Sequence, residues 1–201
     1  MSASATQAAT PQGVTKVSPS LGAPVEVVAM GDRVKEEAKR DAERLLRATL
    51  RLPPPAYPAD VAKQLGVRVV ESKLDKDTLG GLLVDLEEDP KIVLNERDGL
   101  LRRRMTCALE LGYYLRLSPE RQLYERVDLR SLRARSDGED PDEDYADEFA
   151  ACLLMPEKNV RILYELGLDD LELALKLRVP REAAWSRLRS LGLHDEAERA
   201  A

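Results

Sequence analysis

Apolar positions in this chain recur mainly at helical spacing, with one extended region between the first helices and the rest. From Asp32 to Leu50, Val34, Ala38, Ala42, Leu45, Leu46 and Thr49 share one stripe, with Lys, Glu and Arg opposite, which predicts an amphipathic helix. Pro53-Pro54-Pro55 stops it, since proline lacks the N–H that a helix needs. A short helix, Ala59 to Leu65, ends at Gly66, a residue suited to the position just past a helix. Three extended runs follow. Val67 to Ser72 alternates and is β-branched, Leu79 to Leu86 is more apolar, and Lys91 to Asn95 carries Ile92, Val93 and Leu94. The turn Glu87-Glu88-Asp89-Pro90 predicts an antiparallel hairpin of the last two.

Beyond the strands, a helix from Arg97 to Leu117 is closed by Ser118-Pro119. The next stretch is basic at Arg126, Arg130, Arg133 and Arg135, then acidic from Asp137 to Glu148. It reads as a solvated loop entering a helix, whose exposed N–H groups favour carboxylates; its functional alternative is a partner-docking surface. After Pro156, helices are predicted over Glu157 to Leu166, closed by Gly167, then Asp169 to Leu177 and Pro180 to Leu191. Leu171, Leu175, Val179, Ala183, Ala184, Leu188 and Leu191 form the predicted seam of a pair resembling a helix-turn-helix. In a DNA reader Arg181, Arg187 and Arg189 would touch phosphate, but Asp169, Asp170, Glu172 and Glu182 oppose them.

Composition narrows the picture. A chain of 201 residues suits one domain with tails, and Leu, Ala and Val with a single Phe and a single Trp favour a helical core. The net charge of −6 argues against nonspecific binding to nucleic acid. Cys107 and Cys152 lie in apolar helical contexts and read as small buried thiols of a reducing compartment. Residues 1–24 are rich in Ser, Ala, Thr and Pro, with only Lys16 charged, so they lack the plan of a signal peptide. No apolar run approaches the ~20 residues of a membrane span. A disordered leader over 1–30, a cytoplasmic location, a body over 31–156, a helical subdomain over 157–195 packed on it, and a tail over 196–201 are the expectations.

The segment with chemical content is Cys107-Ala108-Leu109-Glu110-Leu111-Gly112-Tyr113-Tyr114-Leu115. Its frame is that of a zinc-protease helix, where two His one turn apart hold Zn²⁺ and the Glu between them acts as general base on bound water. Leu109 and Tyr113 stand at the two His positions, Glu110 keeps the base position, and the single histidine of the chain is His194. About thirty residues on comes Ala146-Asp147-Glu148-Phe149-Ala150-Ala151-Cys152-Leu153-Leu154-Met155-Pro156, and Arg102-Arg103-Arg104-Met105-Thr106 enters the first helix. Together these segments resemble the ImmA/IrrE metallopeptidases, the IrrE N-terminal-like domain, over roughly 35–193.

The resemblance implies an α+β fold: a mostly helical, zincin-like body with a small three-stranded antiparallel or mixed sheet, ending in a helix-turn-helix-like pair. It implies a third ligand, a carboxylate on the second helix, for which Glu143 is the nearest candidate and Tyr145 the other register. Active relatives cleave helix-turn-helix repressors and release genes for phage excision, stress or DNA-damage responses. With both histidines replaced, the expectation is a catalytically inactive pseudo-metallopeptidase with no metal or cofactor. It would act as a protein-binding regulator whose partner is a protein or extended peptide of the repressor class, with neither nucleic acid nor membrane involved. Glu110, Tyr113, Tyr114, Glu143 and Tyr145 are its remnant-site or groove residues. Glu110 would pair with one of Arg102 to Arg104 or another groove arginine, and Leu109 and Tyr113 would fill the old metal site as core or line the groove. The alternatives are an unusual metallopeptidase drawing ligands from Glu110, Glu143, Cys107 and Cys152, a DNA-binding regulator using the C-terminal helices, and a structural subunit of a larger phage or host assembly.

Overall fold

The helix that carries Glu110 lies between a sheet and a second long helix. The computed structural model describes residues 25–48, 57–84, 90–117, 124–129 and 140–193. They form helices α1 (Val25–Ala48), α2 (Pro58–Gln64), α3 (Leu100–Leu117), α4 (Pro141–Leu154), α5 (Glu157–Glu165), α6 (Asp170–Leu177) and α7 (Arg181–Ser190). The strands are β1 (Arg68–Ser72), β2 (Thr78–Val84), β3 (Lys91–Asn95) and β4 (Tyr124–Leu129). The expectations for Pro53-Pro54-Pro55, Glu87 to Asp89, Ser118-Pro119, His194, the tail and residues 1–24 lie outside the described residues. Among the described residues no helix is long and apolar enough to cross a membrane.

α1 starts at Val25, earlier than the apolar stripe suggests and inside the stretch read as leader. Gly31 costs a helix about 1 kcal/mol without breaking it, and Pro24 is the first residue that would. The stripe Val34, Ala38 and Ala42 is buried as expected, and its two alanines let α1 lie close along α4. α4 opens with Asp140 as N-cap, its side chain accepting from the Asp142 backbone N–H, then Pro141 and three carboxylates in the first turn. The end of the acidic run is therefore a helix start, for the electrostatic reason anticipated.

The sheet is mixed, in the order β1-β3-β2-β4. β2 and β3 pair antiparallel, with Gly81 opposite Val93, as the turn predicts, while β1 runs parallel to β3 with Val70 opposite Val93. β4 is the departure: it pairs antiparallel with β2 inside the stretch read as a solvated loop. Its sequence, Tyr-Glu-Arg-Val-Asp-Leu, is too charged for an apolar pattern to reveal. Backbone pairing to the open edge of β2 needs no such pattern.

Two glycines set how closely α3 packs. A Cβ at Gly80 on β2 would come 2.6 Å from the Val93 carbonyl oxygen and 2.8 Å from Thr106 Cγ2 on α3. A Cβ at Gly112 on α3 would come 2.7 Å from Ala146 Cα on α4. Around these contacts Ile92, Leu111, Tyr113, Tyr145, Phe149, Leu153 and Leu154 make the centre of the core.

The C-terminal helices join the same core through Met155, Val160, Leu173 and Leu188. Here the predicted seam is corrected. Leu171 and Leu175 are 46% and 68% exposed, and Leu173, Ala174 and Leu177 are buried in their place. Both leucine pairs have i, i+4 spacing, so periodicity cannot choose between them. The choice follows the entry of α6, fixed by a capping box between Asp169 and Glu172, and its exit at Arg178, which is left-handed (φ 56°). Arg187 is also corrected: it is buried rather than free for phosphate. Its Nε donates to the Met155 carbonyl at 3.2 Å, and Nη1 pairs with Glu148 at 2.9 Å, tying α7 to α4.

Candidate functional site

Helical spacing assigns the side chains of α3 to three neighbours. Thr106 meets Gly80, and Arg103 pairs with Glu71 on β1, so the row Arg103, Thr106, Glu110 faces the sheet. Gly112 meets Ala146 and Arg116 pairs with Asp142 at 2.8 Å, so the row Met105, Leu109, Gly112, Arg116 faces α4. Arg104 lies over the Tyr57 ring beside α2. Leu109 and Tyr113, one turn apart, are 4% and 0% exposed, and Glu110 between them is 0% exposed. Tyr114 and Glu143 are half-buried.

Tyr145, in the other register of the expected third ligand, has a buried ring. Its hydroxyl donates to Asp41 Oδ2 on α1 at 2.6 Å, and the Arg116 guanidinium lies 5.6 Å from its ring centroid. Burial first, and then the Asp41 carboxylate, push the phenol well above its ordinary pKa, so it stays protonated. Among the described residues no three His, Cys, Asp or Glu side chains form a group able to hold a metal. No three of Glu110, Glu143, Cys107 and Cys152 are therefore grouped, as the unusual-metallopeptidase alternative would need. Cys107 and Cys152 are buried free thiols, as their apolar contexts predict. Burial, and then the Glu110 carboxylate, push the Cys107 thiol up to about 12. Cys152 is also raised to about 12, chiefly by burial, although Arg187 opposes the rise.

Among the described residues Glu110 does not pair with Arg102, Arg103 or Arg104, the first of the two expectations for it. Arg103 goes to Glu71, Arg104 lies over Tyr57, and Arg102 is exposed. The reason is axial distance. Six to eight residues span ~9–12 Å along a helix, about two turns from the Glu110 carboxylate.

Beside Met105 on the α4 face of α3 lies a cavity of about 350 Å³. Lys35 of α1, Asp144 and Glu148 of α4, and Ser186 and Arg187 of α7 line it, with Met105 and Met155 as apolar lining. Sequence reasoning missed Lys35 and Ser186, because only packing of α1 and α7 against α4 brings them to one place. Arg187 carried a signal: a cation flanked by Ala184 and Leu188 on one helix face, which suggests burial.

Comparison with known proteins fits this geometry. No curated protein matches the chain. The model of the IrrE N-terminal-like domain matches residues 62–189, more than half the chain, from α2 to α7 and so across both segments described above. The α1 helix lies outside that match although it is packed on α4. On the strength of the matched residues, this chain belongs to the IrrE N-terminal-like family, a metallopeptidase-like class.

Proposed function

We propose that this member of the family is a pseudo-metallopeptidase that binds a protein or extended peptide beside α3 without cutting it. The carrying observation is the state of positions 109 and 113. A zinc site needs N, S or O donors at ~2.0–2.3 Å. Leu109 has none, Tyr113 is packed as core, and the Tyr145 hydroxyl is committed to Asp41. The donor set does not fit zinc, and without a metal to hold its water, Glu110 has no hydrolytic step to serve. What the fold retains is a recess. The cavity beside Met105 combines apolar lining with charges of both signs, and its size suits one or two side chains of an inserted partner. The resemblance supplies the partner class, a helix-turn-helix repressor, and the role, regulation of its activity in phage or stress-response control.

The DNA-reader alternative is disfavoured by its own arginines. Arg181 makes a two-point contact with Asp170 at 2.9 and 3.1 Å, Arg187 is buried, and Arg189 lies 4.8 Å from the Trp185 ring centroid.

The test has two arms. Elemental analysis of protein purified without chelator is expected to find far less than one zinc per chain; stoichiometric zinc refutes the pseudoenzyme. Titration against a helix-turn-helix repressor of the same organism is expected to give a complex with the repressor intact on a gel. Cleavage refutes inactivity, and absence of binding across the organism's repressors refutes the partner class.

A further inference from the structure

Arg104 is a buried arginine of α3 whose nitrogens find no acceptor among the described residues. The residue is 8% exposed, and none of its Nε, Nη1 and Nη2 atoms has a hydrogen-bond partner. Its guanidinium carbon lies 5.5 Å from the Tyr57 ring centroid. The face of a phenol attracts a cation but accepts none of its five N–H donors. Leaving a buried guanidinium in this state is costly, because both its charge and its donors have lost water.

The surroundings raise that cost. Arg178, in the turn between α6 and α7, donates from Nη1 to the Tyr57 hydroxyl oxygen at 3.1 Å. Tyr57 is thus touched by two guanidiniums, one through its ring and one through its hydroxyl. Desolvation, with the nearby Arg178 charge adding to it, lowers the pKa of Arg104. No salt bridge to Arg104 or Arg178 is present among the described residues. Two like charges from distant parts of the chain, near one half-exposed tyrosine, are what an anion would hold together.

The geometry points to a small-oxyanion site formed by Arg104, Arg178 and Tyr57, taking a phosphate or carboxylate group. A guanidinium offers parallel N–H donors that match two oxygens of either group. Arg178 and Tyr57 are exposed and Arg104 is buried, so an entering anion would meet Arg178 and Tyr57 first. The bound anion would tie the α6–α7 turn to α3. The site is separate from the cavity beside Met105, whose lining includes none of these three residues.

The experiment is thermal unfolding of the full chain in chloride, inorganic phosphate and acetate at matched ionic strength. Wild type is compared with Arg104→Met, which keeps much of the volume and removes the charge, and Arg178→Gln, an exposed change that leaves the core alone. Wild type is expected to gain about 5 °C in saturating phosphate, the scale of a filled site in a chain of this size. Both variants should lose most of that gain. In chloride Arg104→Met should melt no lower than wild type, because it removes a buried cation without a counter-charge. A gain in acetate as well assigns the site to carboxylates in general, and a gain in phosphate alone assigns it to phosphate groups. An equal gain in all three proteins is a general salt effect and overturns the proposal, as does no gain in wild type. If Arg104→Met does not fold, Arg178→Gln decides by the same comparison.

Discussion

Replacing Gly112 by alanine adds one methyl group to the centre of α3, and the structure fixes where it must go. The new Cβ would sit 2.7 Å from Ala146 Cα, 3.1 Å from its carbonyl oxygen and 3.2 Å from its Cβ. Ordinary contact begins at 3.4 Å, and the closest obstacle is backbone, so no side chain can swing aside. The two helices must part by about 0.7 Å, a gap that forfeits a quarter to a half of each affected dispersion contact. Overpacking of this kind costs roughly 1–3 kcal/mol, and the extent of the α3–α4 contact puts this site at the upper end. Alanine is better than glycine inside a helix by about 1 kcal/mol, which offsets part of the cost. The net loss is about 2 kcal/mol, or a fall of about 4–8 °C in Tm for a domain of this size.

Gly31, inside α1, supplies the control. Among the described residues its added Cβ would meet just Asp144 Oδ2, at 3.9 Å, so the propensity gain stands alone and Gly31→Ala should raise Tm by about 2 °C. Thermal unfolding followed by circular dichroism, repeated in urea, measures both. A Gly112→Ala variant as stable as wild type would refute the close α3–α4 approach, and with it the packing argument for Leu109 and Tyr113.

Two further outcomes test the C-terminal attachment and the thiols. Arg187→Ala removes the buried partner of Glu148 and the donor to the Met155 carbonyl, and should cost about 3 kcal/mol in urea unfolding, a value moderated because Glu148 is 22% exposed; a loss below about 1 kcal/mol would mean that α7 is not held this way. Cys107 and Cys152, both raised to about 12 by burial, should be inert to a disulfide reagent at about pH 8 in the native protein and titrate fully in denaturant. Since their folded pKa values lie above the ordinary 9.0, the fold favours the neutral thiols. Their stabilisation is complete below pH 9.0 and is lost as pH rises toward about 12, and a stability flat across the lower part of that window would contradict their burial.

Local periodicity alone dictates several parts of this protein. The stripe of α1, the Gly66 and Gly167 helix ends, the β2–β3 pairing and the acidic start of α4 were legible because each rests on neighbouring residues and backbone chemistry. So was the family, because its motif residues lie within two short segments. Long-range packing settled the rest. Which leucine pair of α6 faces the core was a choice between two equal i, i+4 rows, and only the surrounding helices could make it. β4 was invisible because a strand on an open edge is specified by its partner's backbone. The partners of the α3 arginines depended on β1 and α2 folding up against that helix, contacts that no spacing within α3 encodes. Burial at Leu109, Glu110 and Tyr113, on which the functional reading rests, exists only once sheet, α3 and α4 have closed on one another. Water is removed from these side chains by neighbours far away along the chain.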